Sequence, residues 1–296
     1  MGYGSLKHGL KQPGLIDQDL AEAVDVPVSA SPGQAEIGRY WDVRVTETVG
    51  LPVHALLTAN AEHAAEAALD LIDSIEQDTV LVTFANPGVV PLARRSAAFQ
   101  QSLREFDLVL PDGIGMCAAM QWLHGLPAKR VSFDTTSLAP ALFARARSRK
   151  LTIALVGGAP HVAEQASAQV VAHFPGIQII ATLDGYGDMA AKTSIIRQLR
   201  PDIVICGMGS GRQEVFLLEL KRQGWRGWGF TCGGYFDQLV GGIAYYPRWI
   251  DAANLRWAYR LAREPGRLWR RYFIDYSHFG VLVCAARVRK PRQIHA

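Results

Sequence analysis

DIVICGMGSGRQE, residues Asp202 to Glu214, is the stretch on which the fold is read. Ile203 to Cys206 form a short apolar, largely β-branched run; three alternating glycines follow; then Arg212-Gln213-Glu214 open a segment with helical spacing. A run of this length, ending in glycine and leading into an amphipathic helix, is the strand, turn and helix of a crossover unit, whose strand is covered on both faces. The same grammar recurs outward along the chain. TVLVTFA (Thr79 to Ala85), DLVLP (Asp107 to Pro111), LTIALVGG (Leu151 to Gly158), IQIIATL (Ile177 to Leu183) and GWGFTCGG (Gly227 to Gly234) read as strands. Val53 to Ile75, Val89 to Leu103, Ser137 to Arg149, His161 to His173 and Gln213 to Gln223 read as helices rich in Ala, Leu, Glu and Gln. The expected fold is α/β: a Rossmann-like, mainly parallel sheet with helices on both faces over residues 37–246.

The flanks differ from this body. Residues 1–36 mix Gly, Pro, Ser and charges without periodicity and read as a flexible leader. Residues 247–296 read as a C-terminal helical appendage, basic and aromatic, in which Trp249, Trp257, Trp269, Tyr259 and Tyr272 interleave with arginines. Aromatic rings settle at the headgroup level of a bilayer and arginines meet its phosphates, so this appendage is expected to bind a membrane. The bland alternative is a packed helix with a solvated basic face.

With 296 residues, 49% of them apolar, the chain can bury a real core. Its four cysteines, Cys117, Cys206, Cys232 and Cys284, lack the spacing of a zinc site or a disulfide framework and read as reduced cytosolic thiols. The N-terminus has no signal-peptide pattern. FGVLVCAA, Phe279 to Ala286, falls short of the roughly 18 apolar residues that a spanning helix needs. A net charge of +4, with arginine concentrated from Arg248 to Arg292, points to an anionic partner, lipid or nucleic acid.

Candidate chemistry lies in loops that follow strands, where backbone N–H groups and helix starts converge. In LPDGIG, Asp112 stands at a strand end before two glycines; it is either a general base or the N-cap of the next helix. VGGAPHVAE carries Gly157 and Gly158, and GMGSGRQE carries Gly209, Gln213 and Glu214; both are nucleotide cradles in shape, yet neither is a dinucleotide fingerprint or a P-loop. KRVSFD supplies Arg130, and CGGYFDQLVGG supplies Asp237. No H-E-x-x-H, nucleophile elbow or cysteine–histidine pattern occurs. D-x-D is missing from the α/β body, so neither a metal nor a cofactor is invoked, and arginines are expected to neutralise a leaving diphosphate.

LPDGIG, KRV, LVGGAP, PDIVICGMGSGRQE, GGYFD and PRWIDAANLRWAYRLAREPGRLWRRY, in this order, resemble the WecG/TagA/CpsF family of bacterial glycosyltransferases, glycosyltransferase family 26, from about Val53 to Tyr272. The resemblance implies an inverting transfer of sugar from a UDP-sugar donor to an undecaprenyl-diphosphate-linked saccharide, in exopolysaccharide or other cell-surface polymer synthesis. By motif, Asp112 would be the base, Arg130 would act on the diphosphate, and Gln213, followed by Glu214, would lie in the donor pocket. Asn86 matches the asparagine of a T-x-N segment whose threonine is here Phe84. Thr83 is one residue away and would face the opposite side of the strand. Gly211-Arg212 stands where the family has proline-lysine, and Tyr245-Tyr246-Pro247 where it has R-A-P. The appendage would supply Arg260, Arg267 and Arg270 to the donor and contact an anionic membrane surface on the cytoplasmic side as a peripheral protein. A homo-oligomer is compatible with the resemblance. The rival readings are a nucleotide-sugar hydrolase or epimerase, and a nucleic-acid-binding protein using the tail. Nucleic acid is not expected as a partner, because the body lacks RRM, KH, OB and helix-turn-helix signatures.

Overall fold

The structure is a computed structural model that describes residues 40–58, 60–241, 256–263, 266, 269 and 271–289. The leader, Tyr245, Tyr246, Pro247, Trp249, Arg267 and Arg270 lie outside the described residues, and Arg260 is described only as a helical position.

Six strands form one parallel sheet: β3 (Thr79–Ala85), β4 (Leu108–Pro111), β5 (Thr152–Gly157), β6 (Gln178–Leu183), β7 (Ile203–Gly207) and β8 (Gly227–Thr231), in the order β4-β3-β8-β7-β5-β6. Strand alternation sends successive side chains to opposite faces, and both faces are buried except along the edge strand β6, whose residues are half-buried or exposed. Val80 and Val82 of β3 join a core with α1 (Ala64–Asp73), α5 (Leu138–Arg149), α6 (Val162–His173) and α9 (Tyr235–Val240). Leu81 and Ala85 join a second core with α2 (Val90–Arg95), α3 (Ala97–Arg104), α4 (Ile114–His124), α7 (Met189–Leu199) and α8 (Arg212–Arg222). Burying each large aliphatic or aromatic side chain in these layers contributes about 1.5–3 kcal/mol. The C-terminal helix Tyr276–Arg289 lies across α4, α2 and the Pro87–Val89 turn, and buries Phe279 and Val283 in the second core.

Two expectations are corrected. The first half of the helix expected over Val53 to Ile75 is strand: β1 (Trp41–Thr48) and β2 (Leu51–Thr58) form an antiparallel hairpin, and α1 begins only at Ala64. The turn between them, Val49-Gly50, has positive φ at both residues (49° and 89°), the conformation that matches the twist of a two-residue hairpin. Because β2 is covered on both faces, its apolar run carries no alternation to distinguish it from a helix. The hairpin shields β4, an edge of the sheet. His54 Nδ1 accepts the Val109 N–H at 3.1 Å, and Leu56 O accepts the Lys129 N–H at 3.0 Å. The helix expected over Val89 to Leu103 is two helices, broken at Ser96, whose backbone is extended and whose Oγ accepts the Phe99 N–H. A serine cap of this kind restarts a helix on a new axis.

The loops after the neighbouring strands β3 and β8 depart toward opposite faces, to α2 and α9 respectively. Divergence of this kind marks, at the carboxyl ends of the strands, the crevice position where open α/β sheets take their ligands.

Candidate functional site

Ala85 of β3 pairs with Pro111 of β4, so Asn86 and Asp112 leave adjacent strands side by side, and the Asp112 N–H donates to Ala85 O at 2.8 Å. The N-cap of α4 is Gly113, at φ 83°, a conformation open to glycine and strained for other residues. Asp112 is therefore not a helix cap. One carboxylate oxygen, Oδ1, accepts the Ser132 hydroxyl; the other, Oδ2, accepts Asn86 Nδ2 at 3.4 Å. Asn86 is held in turn because its Oδ1 accepts the Gly88 N–H at 3.0 Å and caps the Pro87–Val89 turn.

Arg130 completes this group. Its Nε lies 3.8 Å from Asp112 Oδ1, and its Nη2 pairs with Asp134, whose other oxygen accepts both the N–H and the hydroxyl of Thr136. Burial alone would depress the pKa of Arg130, but the carboxylates of Asp134 and Asp112 outweigh it and raise that pKa above its ordinary value. The base candidate and the cation stay partly open, with 30% and 29% of their side chains exposed. Cys117, one turn into α4, is held up at about 11 by burial and then by the Asp112 charge, so it stays a thiol rather than a nucleophilic thiolate. Ser132 and Asp134, which hold Asp112 and Arg130, are the side chains of this group that motif reading passed over. Both stand in the quoted KRVSFD run, and the only signal was their spacing of two and four residues from Arg130.

Gln213 and Glu214 form a second, buried group joining the ends of β3, β7 and β8. Glu214 Oε1 accepts from Thr83 Oγ1 at 3.2 Å and Gln213 Nε2 at 3.0 Å, and its Oε2 accepts the Gly211 N–H at 2.5 Å. Gln213 Oε1 accepts the Gly233 N–H at 3.2 Å, and the Thr83 and Thr231 hydroxyls bond to each other at 2.8 Å. Burial raises the pKa of Glu214 above its ordinary value, against the pull of these hydrogen bonds. Thr83 points into this group, whereas Phe84 packs edge-on against Phe133 in the opposite layer, with ring centroids 6.2 Å apart. Thr83 and Phe84 thus do not interchange.

The glycines of the third group serve close approach. A Cβ on Gly157 would lie 2.3 Å from Gly207 O, so β5 and β7 can converge only on glycine, and the Gly158 N–H donates to that same Gly207 O at 3.0 Å. Gly209, at φ 81°, is exposed with open space around its Cα. Beside it Arg212 donates to Gly185 O at 2.7 Å and lies over the exposed Tyr186 ring. Asp237 is exposed in the first turn of α9, on the far side of the crevice from α2. Among the described residues no group of three or more His, Cys, Asp or Glu side chains is arranged to hold a metal ion, and no helix is long and apolar enough to cross a membrane.

Asp112, Asn86 and Arg130 are thus brought together with Ser132 and Asp134, Gln213 and Glu214 form a neighbouring support, and the glycine loops follow β5 and β7 at the same carboxyl edge of the sheet.

The profile of the family described as Glycosyl transferase WecG/TagA/CpsF family matches residues 46–293. The chain is 31% identical over 215 residues, 72% of its length and 89% of the relative's, to the UDP-Gal:alpha-D-GlcNAc-diphosphoundecaprenol beta-1,4-galactosyltransferase of Shigella boydii. It is 28% identical over 221 residues, 74% of this chain and 82% of the relative, to the N-acetylglucosaminyldiphosphoundecaprenol N-acetyl-beta-D-mannosaminyltransferase of Bacillus spizizenii. The enzyme of that name from Bacillus subtilis is 26% identical over 193 residues, 64% of this chain and 74% of the relative.

Proposed function

The chain belongs to the WecG/TagA/CpsF family of glycosyl transferases, and from that premise we propose that it transfers a sugar from a UDP-sugar to a saccharide carried on undecaprenyl diphosphate, with inversion, in cell-surface polymer synthesis. The acceptor hydroxyl gives its proton to Asp112 as its oxygen attacks the anomeric carbon. The bond from that carbon to the diphosphate oxygen breaks on the opposite face, and UDP leaves with the electron pair. Arg130, anchored by Asp134, has N–H groups beyond those two carboxylates with which to meet the developing negative charge. Gln213 and Glu214 hold the ends of β3, β7 and β8 in register and so shape the donor crevice. Gly209, with open space beside it, lets the donor approach the backbone, Gly157 and Gly158 hold β5 against β7 beside it, and Asp237 offers a carboxylate to the donor's hydroxyls. No metal enters this step, since guanidinium groups take the role of the cation. The appendage, with Arg260, Arg267 and Arg270, closes on the donor and holds the protein peripherally to the anionic inner face of the membrane.

The observation that carries the reading is the state of Asp112: uncapped, with each oxygen held by a separate donor, at the end of a strand that opens on a crevice. The test is UDP release by the purified chain with a panel of UDP-sugars and a short-chain polyprenyl-diphosphate-linked N-acetylglucosamine. Acceptor-dependent release that survives a chelator is expected. Release that ignores the acceptor would support a hydrolase instead, and silence with no UDP binding would remove the transferase reading.

A further inference from the structure

Among α1 to α9, α4 is the helix without a single Asp, Glu, Lys or Arg. It covers one face of the sheet with Met116, Ala119, Met120 and Leu123 buried, so its outer face meets solvent. That outer face is Ile114, Gly115, Ala118, Gln121 and Trp122, a continuous stripe at helical spacing. Ile114 is 55% exposed and Trp122 is 47% exposed. The other surface helices carry charge outward, as Arg147 and Arg149 do on α5 and Glu219, Lys221 and Arg222 on α8. A solvated face with an exposed isoleucine and tryptophan and no charge is a contact surface.

The C-terminal helix packs beside α4, and it too contains no acidic residue; Val281 and Val288 are exposed on it, and Phe273 and Ile274 in the turn just before it. Its only charged side chains, Arg287 and Arg289, are basic and stand at its end. The two adjoining helices present apolar side chains, one tryptophan and arginines, and no carboxylate, while the turn that carries Phe273 and Ile274 ends in the half-buried Asp275; this composition matches the headgroup boundary of an anionic bilayer, where aliphatic groups enter the acyl edge and guanidinium groups meet phosphates.

We propose that the outer stripe of α4, Ile114, Ala118 and Trp122, is a membrane-docking face that works together with the C-terminal helix. α4 starts at Gly113, directly after Asp112, so docking this helix sets the base at the height of the lipid phosphates, where a lipid-linked acceptor presents its sugar. The inference rests on the proposed acceptor for its purpose, but docking itself needs no turnover.

The test uses the full chain and vesicles of phosphatidylglycerol and phosphatidylcholine in a sedimentation assay, with thermal melts to show that each variant folds. Ala118→Glu and Trp122→Ser each lower vesicle partition at least roughly tenfold, and Gln121→Lys raises it by roughly fivefold, a gain that misfolding cannot mimic. Val215→Glu, at an exposed apolar position on α8, leaves partition within about twofold of wild type. Wild-type partition by Ala118→Glu and Trp122→Ser would overturn the docking face. So would a dimeric wild type that Ala118→Glu makes monomeric in light scattering, because a second copy would then be what covers the stripe. Loss of partition in both variants, in a protein that transfers no sugar to any acceptor, upholds the docking face and removes the transferase reading alone.

Discussion

Asp112 combines two properties that conflict in water: it is fixed, and it is accessible. Ser132 and Asn86 each hold one oxygen, while Gly113, by taking the cap position, frees the carboxylate from the helix start. Asp112→Asn keeps the size and most of the hydrogen bonding but cannot accept a proton. Turnover should fall by roughly a hundredfold or more while donor binding, read by calorimetry, stays near wild type. Ser132→Ala tests the fixing alone. A hydrogen bond to a charged group contributes about 1.5–3 kcal/mol, so kcat should drop roughly ten- to hundredfold with KM little changed, and Ser132→Thr should restore most of it. An unchanged kcat in the alanine variant would mean that Asn86 suffices. Asp112 and Arg130 were legible in the sequence because each sits in a short motif. The hydrogen bond from Ser132 to Asp112 spans twenty residues of chain and exists only after β4 and the KRVSFD segment are brought together.

At the scale of elements, the β1-β2 hairpin does what a covering element must do for an edge strand. His54 is central to it, since the Val109 N–H of β4 needs an acceptor and only a neutral imidazole offers one. Burial pushes the His54 pKa down from 6.5 to about 4. The unfolded chain thus binds a proton near pH 6.5 that the folded chain refuses until about pH 4. Stability contributed by neutral His54 is fully present above about pH 6.5 and is lost as pH falls toward 4, by on the order of 3 kcal/mol in all. Denaturant midpoints measured from pH 7.5 to 4.5 should show this slope, and His54→Gln should flatten it. An equal slope in the variant would assign the effect to other groups. The hairpin itself escaped the sequence reading because β2 is buried on both faces, whereas the six sheet strands were legible from β-branched runs punctuated by glycine.

For the whole molecule, the C-terminal helix both bears exposed apolar residues and buries Phe279 and Val283 in the core it shares with α2 and α4. Truncation after Pro247 should therefore abolish vesicle association and also lower thermal stability, by about 1.5–3 kcal/mol for each large side chain uncovered. A truncated protein that melts like the full chain would show that the two parts fold independently. The amino-acid sequence by itself determined the layered parallel α/β plan, the order of its strands along the chain and the loops that bear the candidate site, because periodicity and glycine placement are local signals. It also determined the family, through six motifs in order. Only the tertiary structure decided the spatial order β4-β3-β8-β7-β5-β6, the hairpin at the edge, the burial of Gln213 and Glu214 and the grip of Ser132 and Asn86 on Asp112. Those features depend on contacts between residues far apart in the chain, and no local pattern records which distant partner a strand edge or a carboxylate will meet.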